Sequence, residues 1–312
     1  MKRTVTIVNI ADIELHHTPG FGREGSSSGK AFPLDTGVPG VILEFSWRHY
    51  DKGYGTPRHK HIFDQYRYNL GGRRMIKDGY LEEGEVGFYP EGVHYGPQMQ
   101  EEPCFGLGLQ FQGLSGIPYL THAQLREARK EMLAEGAIFK DGIYTKLLPN
   151  GRKINKDSHA ALTEHVTGKK VTFPKGRYEK PIVMKPEGHP WIGDRKNEGV
   201  EHKRLGTFGG SGIRLTRLAP GARIPATHMD DAEIRYLVEG SIEYDGKTWL
   251  GGKTADVGTY MFVQHGADVG AITSKTGGMF YVIELPMLAD IEAQRAREAA
   301  KAEAPREMAA AE

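Results

Sequence analysis

Along most of its length the chain alternates short apolar runs with polar breaks rich in glycine and proline. The runs GVILEFSW, GEVGFYP, FGLGLQF, GIRLTRL, GTYMFVQ and GMFYVIELP are short and full of aromatic and β-branched residues. Such a pattern predicts many short, mostly antiparallel strands. A helical period stands out once before the tail, where Leu125, Ala128 and Met132 form a stripe between about Thr121 and Glu135 and Thr121 with Gln124 fits a capping box. From Gly136 to about Arg204 the pattern dissolves into a loop-rich connector with a few strands. Beyond Leu288 the chain is helix-prone, with Asp290 as a cap and Glu292 and Arg295 spaced as an i,i+3 pair, yet it has little apolar surface to bury. A solvent-facing helix is expected there. Around residues 20–32, FGREGSSSGKAF reads as a loop or an arm that orders against something else.

At 312 residues the chain accommodates two units, each able to bury its own core. The expected division is an N-terminal domain over 1–135, a connector over 136–204, a C-terminal domain over 205–289 and a helix-prone tail over 290–312. Charge changes this picture little, because 41 lysines and arginines against 40 aspartates and glutamates give no polyelectrolyte signature for nucleic acid or membrane surfaces. Cys104 is the only cysteine, which excludes a disulfide framework and cysteine-rich metal clusters and points to a reducing interior. The N-terminal stretch meets Asp12 and Glu14 before any signal-peptide core can form, and no stretch of roughly 18 apolar residues free of charge follows. A soluble, cytoplasmic protein is expected. No P-loop or dinucleotide fingerprint is present.

The candidate chemistry lies in GTPRHKHIFDQ and GEVGFYPEGVH. His59 and His61 alternate onto one face of a strand, and a later hairpin would bring His94 beside them. Three imidazoles suit Fe(II), Mn(II), Ni(II) or Zn(II). Gln65 is either a weak fourth ligand or a hydrogen-bond partner of a ligand. Arg67 shares its face and is placed to pair with a substrate carboxylate or to tie the backbone, with Arg48 and Arg58 as weaker candidates. Tyr89 and Tyr95 flank the second stretch as proton donors or aromatic wall. Gln110 and Gln112 sit on an apolar run, where a buried amide needs a partner.

The whole pattern repeats. His228 corresponds to His61, Glu233 to Gln65, Arg235 to Arg67 and Gly240 to Gly72, and GTYMFVQHGAD from Gly258 matches GEVGFYPEGVH from Gly84. In this second copy Ala226 replaces the first histidine, Gln264 stands for Pro90, Asp268 stands for His94, and His265 lies three residues early. One competent centre, in the first half, is the economical reading. His228, Glu233, His265 and Asp268 are then a decayed site, with Arg235 against Glu233 as a structural pair.

These arrangements resemble the two-domain bicupins of the cupin superfamily. Gly53, His59, His61 and Gly72 follow the family's first motif, with Gln65 in place of its glutamate. Gly84, Pro90, Gly92 and His94 follow the second, with one residue fewer before the histidine. The resemblance spans roughly residues 40–115 and 205–287. It implies an all-β fold of tandem jelly-roll barrels with a few helices, and a homo-oligomer. Likeness to the gentisate-type ring-cleaving enzymes implies an Fe(II)-dependent dioxygenase acting with O2 on a small anionic, phenolic or aromatic acid, with His59, His61, His94 and Gln65 at the metal; from their own positions Arg67, Tyr89 and Gln110 are the residues expected around the substrate. The alternatives are an oxygen-independent metal-dependent isomerase, hydrolase or lyase, or a non-enzymatic binding protein.

Overall fold

The computed structural model describes residues 2–17, 25–76 and 79–310, with side chains through 298. Two antiparallel sheets dominate it. The first runs, edge to edge, through Ile182–Met184, Val86–Tyr89, Phe63–Gly71, Cys104–Gln112, Glu44–Tyr50, Ser27–Ala31 and His16–His17. The second runs through Val5–Asn9, Thr259–Val263, Ala232–Tyr244, Gly278–Leu285, Ser211–Leu218, Val200–Phe208 and Ile192–Gly193. Small two-stranded pairs flank both. Among the described residues the ladders leave each main sheet open instead of closing the complete barrels expected from the sequence.

Each half receives a strand from outside its own stretch of chain. Val5–Asn9 pairs with Thr259–Val263 in the second sheet, and Ile182–Met184 of the connector pairs with Val86–Tyr89 in the first. Part of the expected arm, Ser27–Ala31, is a ladder strand against Glu44–Tyr50. Its remainder over 20–24 lies outside the described residues.

Strand alternation sorts the core into layers. Even-numbered positions of Phe63–Gly71, and of Ala232–Tyr244 as far as Val238, face the other sheet, so Tyr66, Tyr68, Tyr236 and their neighbours make one apolar layer shared by both halves. Tyr68 and Tyr281 stack across it with centroids 4.3 Å apart. Polar ends find partners there as well: the Tyr66 hydroxyl donates to the Phe208 carbonyl at 2.6 Å, and Lys30 Nζ donates to the Ala255 carbonyl at 2.8 Å.

The connector is more ordered than its composition suggests. Three strands, Ile138–Lys140, Ile143–Leu147 and Lys153–Asp157, and the helix Ser158–Thr167 pack with the preceding helix His122–Ala134 of the first domain around a small apolar cluster. The first helix carries the expected capping box at Thr121 and buries Leu125, Ala128 and Met132. The second begins where Asp157 accepts from Ala160 N and ends at Gly168, whose φ of 65° suits glycine. The C-terminal helix, Met287–Ala310, is anchored at its start. Leu288 is buried, Glu292 pairs with Arg3 and His265, and Arg295 donates to the Pro39 carbonyl, so the expected Glu292–Arg295 pair gives way to tethers onto the body.

Candidate functional site

The odd-numbered positions of Phe63–Gly71 point away from the shared layer, and here the two halves part company. In the second half the corresponding inner face is filled by Leu237, Met261, Val263, Phe280 and Val282, which belong to a closed apolar cluster. In the first half it opens on a cavity of about 170 Å³ lined by Gln65, Arg67, Arg48, Tyr50, Arg74, Gln98 and Gln110, among others. The ladder registers explain the difference rung by rung. Gly108 lies opposite Arg67 where Val282 lies opposite Arg235, and Gly106 lies opposite Asn69 where Phe280 lies opposite Leu237. Gly87 faces Arg67 from the other neighbouring strand, where Met261 faces Arg235. Gly106 and Gly108 line the space so left, while the Tyr89 ring packs over Gly87. The helix His122–Ala134 covers it with His122 and Leu125, and the connector with Asp157, Ser158, His159 and Leu162.

Gly108 is thus the natural place to refill the cavity. A Cβ built there meets only the Tyr66 carbonyl oxygen, at 3.8 Å, and the backbone is not in the left-handed region. Gly108→Val is expected to leave melting unchanged or raised, since glycine costs a strand about 0.5–1 kcal/mol, while abolishing any ligand binding in the cavity. Thermal melting alongside calorimetric titration measures both.

Charge separates the halves further. In the second, Arg235 Nε donates to Glu233 Oε2 at 2.7 Å, Arg214 bridges Glu233 at 2.6 Å and Glu284 at 2.8 Å, and the cluster is internally matched. In the first, Arg67 Nε makes the same bond at 2.7 Å, but to the neutral amide oxygen of Gln65. Its other partners are the Tyr95 hydroxyl at 2.8 Å and Gln98 Oε1 at 3.5 Å, and its guanidinium lies 4.1 Å from the centre of the Tyr89 ring. Arg74, also buried, stacks 4.2 Å from the centre of the Tyr50 ring with its Nε unbonded. Among the described residues neither guanidinium has a carboxylate within ion-pair distance, whereas Arg48 is held by Glu44 at 2.8 Å. Lys60 and Asp157, also on the lining, offset each other electrostatically. Two guanidiniums on the wall therefore lack a carboxylate partner among the described residues.

The predicted metal ligands are only partly brought together. His59 and His61 are neighbours with ring centroids 5.1 Å apart, and both line the cavity. His94 is exposed and absent from that lining, and partial burial together with Arg58 and Lys60 holds its pKa below the ordinary value. Residue 95 takes the inward place. Backbone bonds of 3.0 and 2.9 Å join His59 and Tyr95 as a directly opposed pair, so their side chains share a face. The Tyr95 hydroxyl bonds His61 Nε2 at 2.9 Å. The motif is one residue short, and a shift of one residue exchanges faces. His94→Ala is accordingly expected to leave both metal content and ligand affinity unchanged, by elemental analysis and titration.

These donors do not fit a three-histidine centre. The third imidazole faces solvent, the Gln65 oxygen faces a guanidinium, and that guanidinium would stand beside any cation placed there. Among the described residues no three imidazole, thiol or carboxylate groups cluster as metal ligands. Of the other expected site residues, Gln110 lines the cavity and accepts from the Tyr119 hydroxyl at 2.7 Å, while Tyr89 is buried behind Arg67. His228 and Asp268 form an exposed pair at 2.8 Å and His265 binds Glu292 at 2.6 Å, so neither joins Glu233. Sequence reasoning missed Tyr50, Arg74 and His159. Arg74 carried one signal, its position just past the Gly71–Gly72 end of the central strand.

No family model and no curated protein matches the chain. Solved structures do. A Nostoc punctiforme protein provisionally assigned as a dioxygenase superposes with a TM-score of 0.62 at 12% identity, covering 92% of this chain and 85% of that one. A Pseudomonas aeruginosa protein provisionally named as glyoxylate-induced gives 0.55 at 10%, covering 92% and 90%. A variant of Bacillus subtilis oxalate decarboxylase gives 0.51 at 16%, covering 89% and 76%. Together with the paired sheets and the internal repeat, these likenesses show that the chain has the two-domain cupin architecture.

Proposed function

We propose that the first domain binds a small organic acid and acts on it by proton transfer, without dioxygen. The observation that carries this reading is the pair of buried guanidiniums, Arg67 and Arg74, facing one cavity without carboxylate partners. A buried charge is costly unless paired, and a carboxylate entering between these donors supplies the missing partner with charge-assisted, bidentate geometry. The apolar residues Leu120, Leu125 and Leu162 cover the opposite wall and would strengthen those bonds by excluding water.

The iron-dependent ring cleavage expected from the sequence draws less support, because His94 and Gln65 are not placed as ligands. Oxygen-independent isomerase or lyase chemistry needs only an anion clamp and groups that move protons. His61, Tyr95 and Tyr50 supply such groups on the cavity wall or in contact with it. Calorimetric titration with mono- and dicarboxylic acids, alongside an oxygen electrode, tests the proposal. Saturable binding of an acid that is lost in Gly108→Val, with no oxygen uptake, is the expected result. Absence of binding, or substrate-dependent oxygen uptake, would refute it.

A further inference from the structure

We infer that Tyr50 is the proton-transfer residue of this cavity and that its substrate class is the carboxylates bearing an acidic C–H, such as 2-oxo acids. The inference rests on the anion-site reading and extends it. Tyr50 closes the strand Glu44–Tyr50, lies opposite Cys104 in the ladder and lines the cavity. Its ring is held between the Arg74 guanidinium, 4.2 Å from its centre, and the Tyr54 ring, with centroids 4.8 Å apart. The second half has Leu218 at the equivalent rung, opposite Gly278, within its apolar cluster.

The groups facing Tyr50 are Arg48 from its own strand, Arg67 from the central strand, Arg74 from the hairpin that begins at that residue, and the Cys104 thiol, which burial keeps protonated. Burial by itself would push the Tyr50 phenol up, but Arg74, Arg67 and Arg48 outweigh it and bring the group down to about 8. A phenol so placed is ionised in a useful fraction near neutrality.

The charge count sets the substrate class. With Tyr50 as a phenolate against Arg74, a monocarboxylate matches Arg67, and Arg74 is released to meet the negative charge that develops on the substrate as the phenolate takes its proton. In a 2-oxo acid the step balances without a co-reactant. The Tyr50 phenolate oxygen takes the proton from C3 and the C–H electron pair becomes the C2–C3 π bond. The carbonyl π pair moves onto the C2 oxygen, where guanidinium N–H groups meet it. Return of a proton from the Tyr50 hydroxyl to carbon completes the cycle, with nothing oxidised or reduced.

The test uses the full chain in D2O with pyruvate, 2-oxobutyrate and 2-oxoglutarate as probes, following C3–H exchange by proton NMR and affinity by calorimetry. The expected result has three parts: at least one probe binds; its exchange is catalysed and rises with pH to a plateau above about 8; and Tyr50→Phe lowers exchange by about a hundredfold or more while the dissociation constant moves less than about threefold. Phenylalanine keeps the ring between Arg74 and Tyr54, and melting curves verify the fold. Binding without exchange, exchange that survives in Tyr50→Phe, or a flat pH profile in the wild type would overturn the role of Tyr50 and leave the anion site standing. Failure of every probe to bind, while other carboxylates do, would overturn the substrate class; failure of all carboxylates would overturn both readings.

Discussion

Replacing Arg67 with methionine is expected to abolish acid binding while leaving the protein as stable as before, or slightly more so. The two effects have different origins. A guanidinium that grips a carboxylate contributes two charge-assisted hydrogen bonds, each worth about 1.5–3 kcal/mol, so their loss weakens binding by about a hundredfold or more. Stability moves the other way, because Arg67 is 7% exposed and has only neutral partners. Its removal leaves Gln65 Oε1 without its donor, at about 1–3 kcal/mol, but relieves a buried uncompensated charge whose effective penalty is several kcal/mol. Methionine retains most of the stem and adapts to the Tyr89 ring. Titration calorimetry and urea denaturation read the two quantities separately. A variant that keeps its affinity and loses several kcal/mol would mean that Arg67 serves the fold instead.

The converse change belongs to the second half. Glu233→Gln installs there the amide that the first half has at Gln65, and it is expected to destabilise the protein by about 3–5 kcal/mol. The reason is the surroundings: Arg235 and Arg214 both lean on this carboxylate, and only Glu284 would remain to answer them. Burial would raise the Glu233 carboxyl, yet Arg235 and Arg214 outweigh it and hold the group below its usual range. A carboxylate depressed in the folded state contributes stability above the unfolded-state value, about 4.3 for glutamate, and loses it as pH falls through the folded value. The gap between wild type and Glu233→Gln in urea should therefore be full at neutral pH and shrink in acid. The amide is tolerated in one half and costly in the other because Gln65 answers one arginine beside a cavity, whereas Glu233 answers two in a filled core.

Much of this was legible in the chain. Alternation placed Gln65 and Arg67 on one face, as the structure has them, and the capping box at Thr121 marked the first helix. The short spacing before His94 was visible too. Its consequence was not, since the face taken by residues 94 and 95 is set by their bridge to His59, a contact between distant segments. Tyr50 and Arg74 meet for a similar reason, one at a strand end and the other on a hairpin packed over the sheet. The helix Ser158–Thr167 had local signals in Asp157 and Gly168, but its ten residues carry too few large apolar side chains to stand out as a period. Least readable was the contrast between a hollow and a filled domain. It depends on which glycine stands beside which arginine, and that requires the register of three strands at once.

The strands that each sheet takes from elsewhere in the chain have a thermodynamic consequence. Val5–Asn9 completes the second sheet and Ile182–Met184 completes the first, with Tyr66, Tyr236 and Tyr260 packed in the layer between. Melting the first half strips Val5–Asn9 from the edge of the second sheet, and melting either half bares the shared aromatic surface to water. Despite its duplicated plan, the molecule should unfold in one calorimetric transition, with van't Hoff and calorimetric enthalpies in agreement, and an amide deep in Phe63–Gly71 should exchange at the same global rate as one in Ala232–Tyr244. Duplication, in this chain, is expected to give a single cooperative unit.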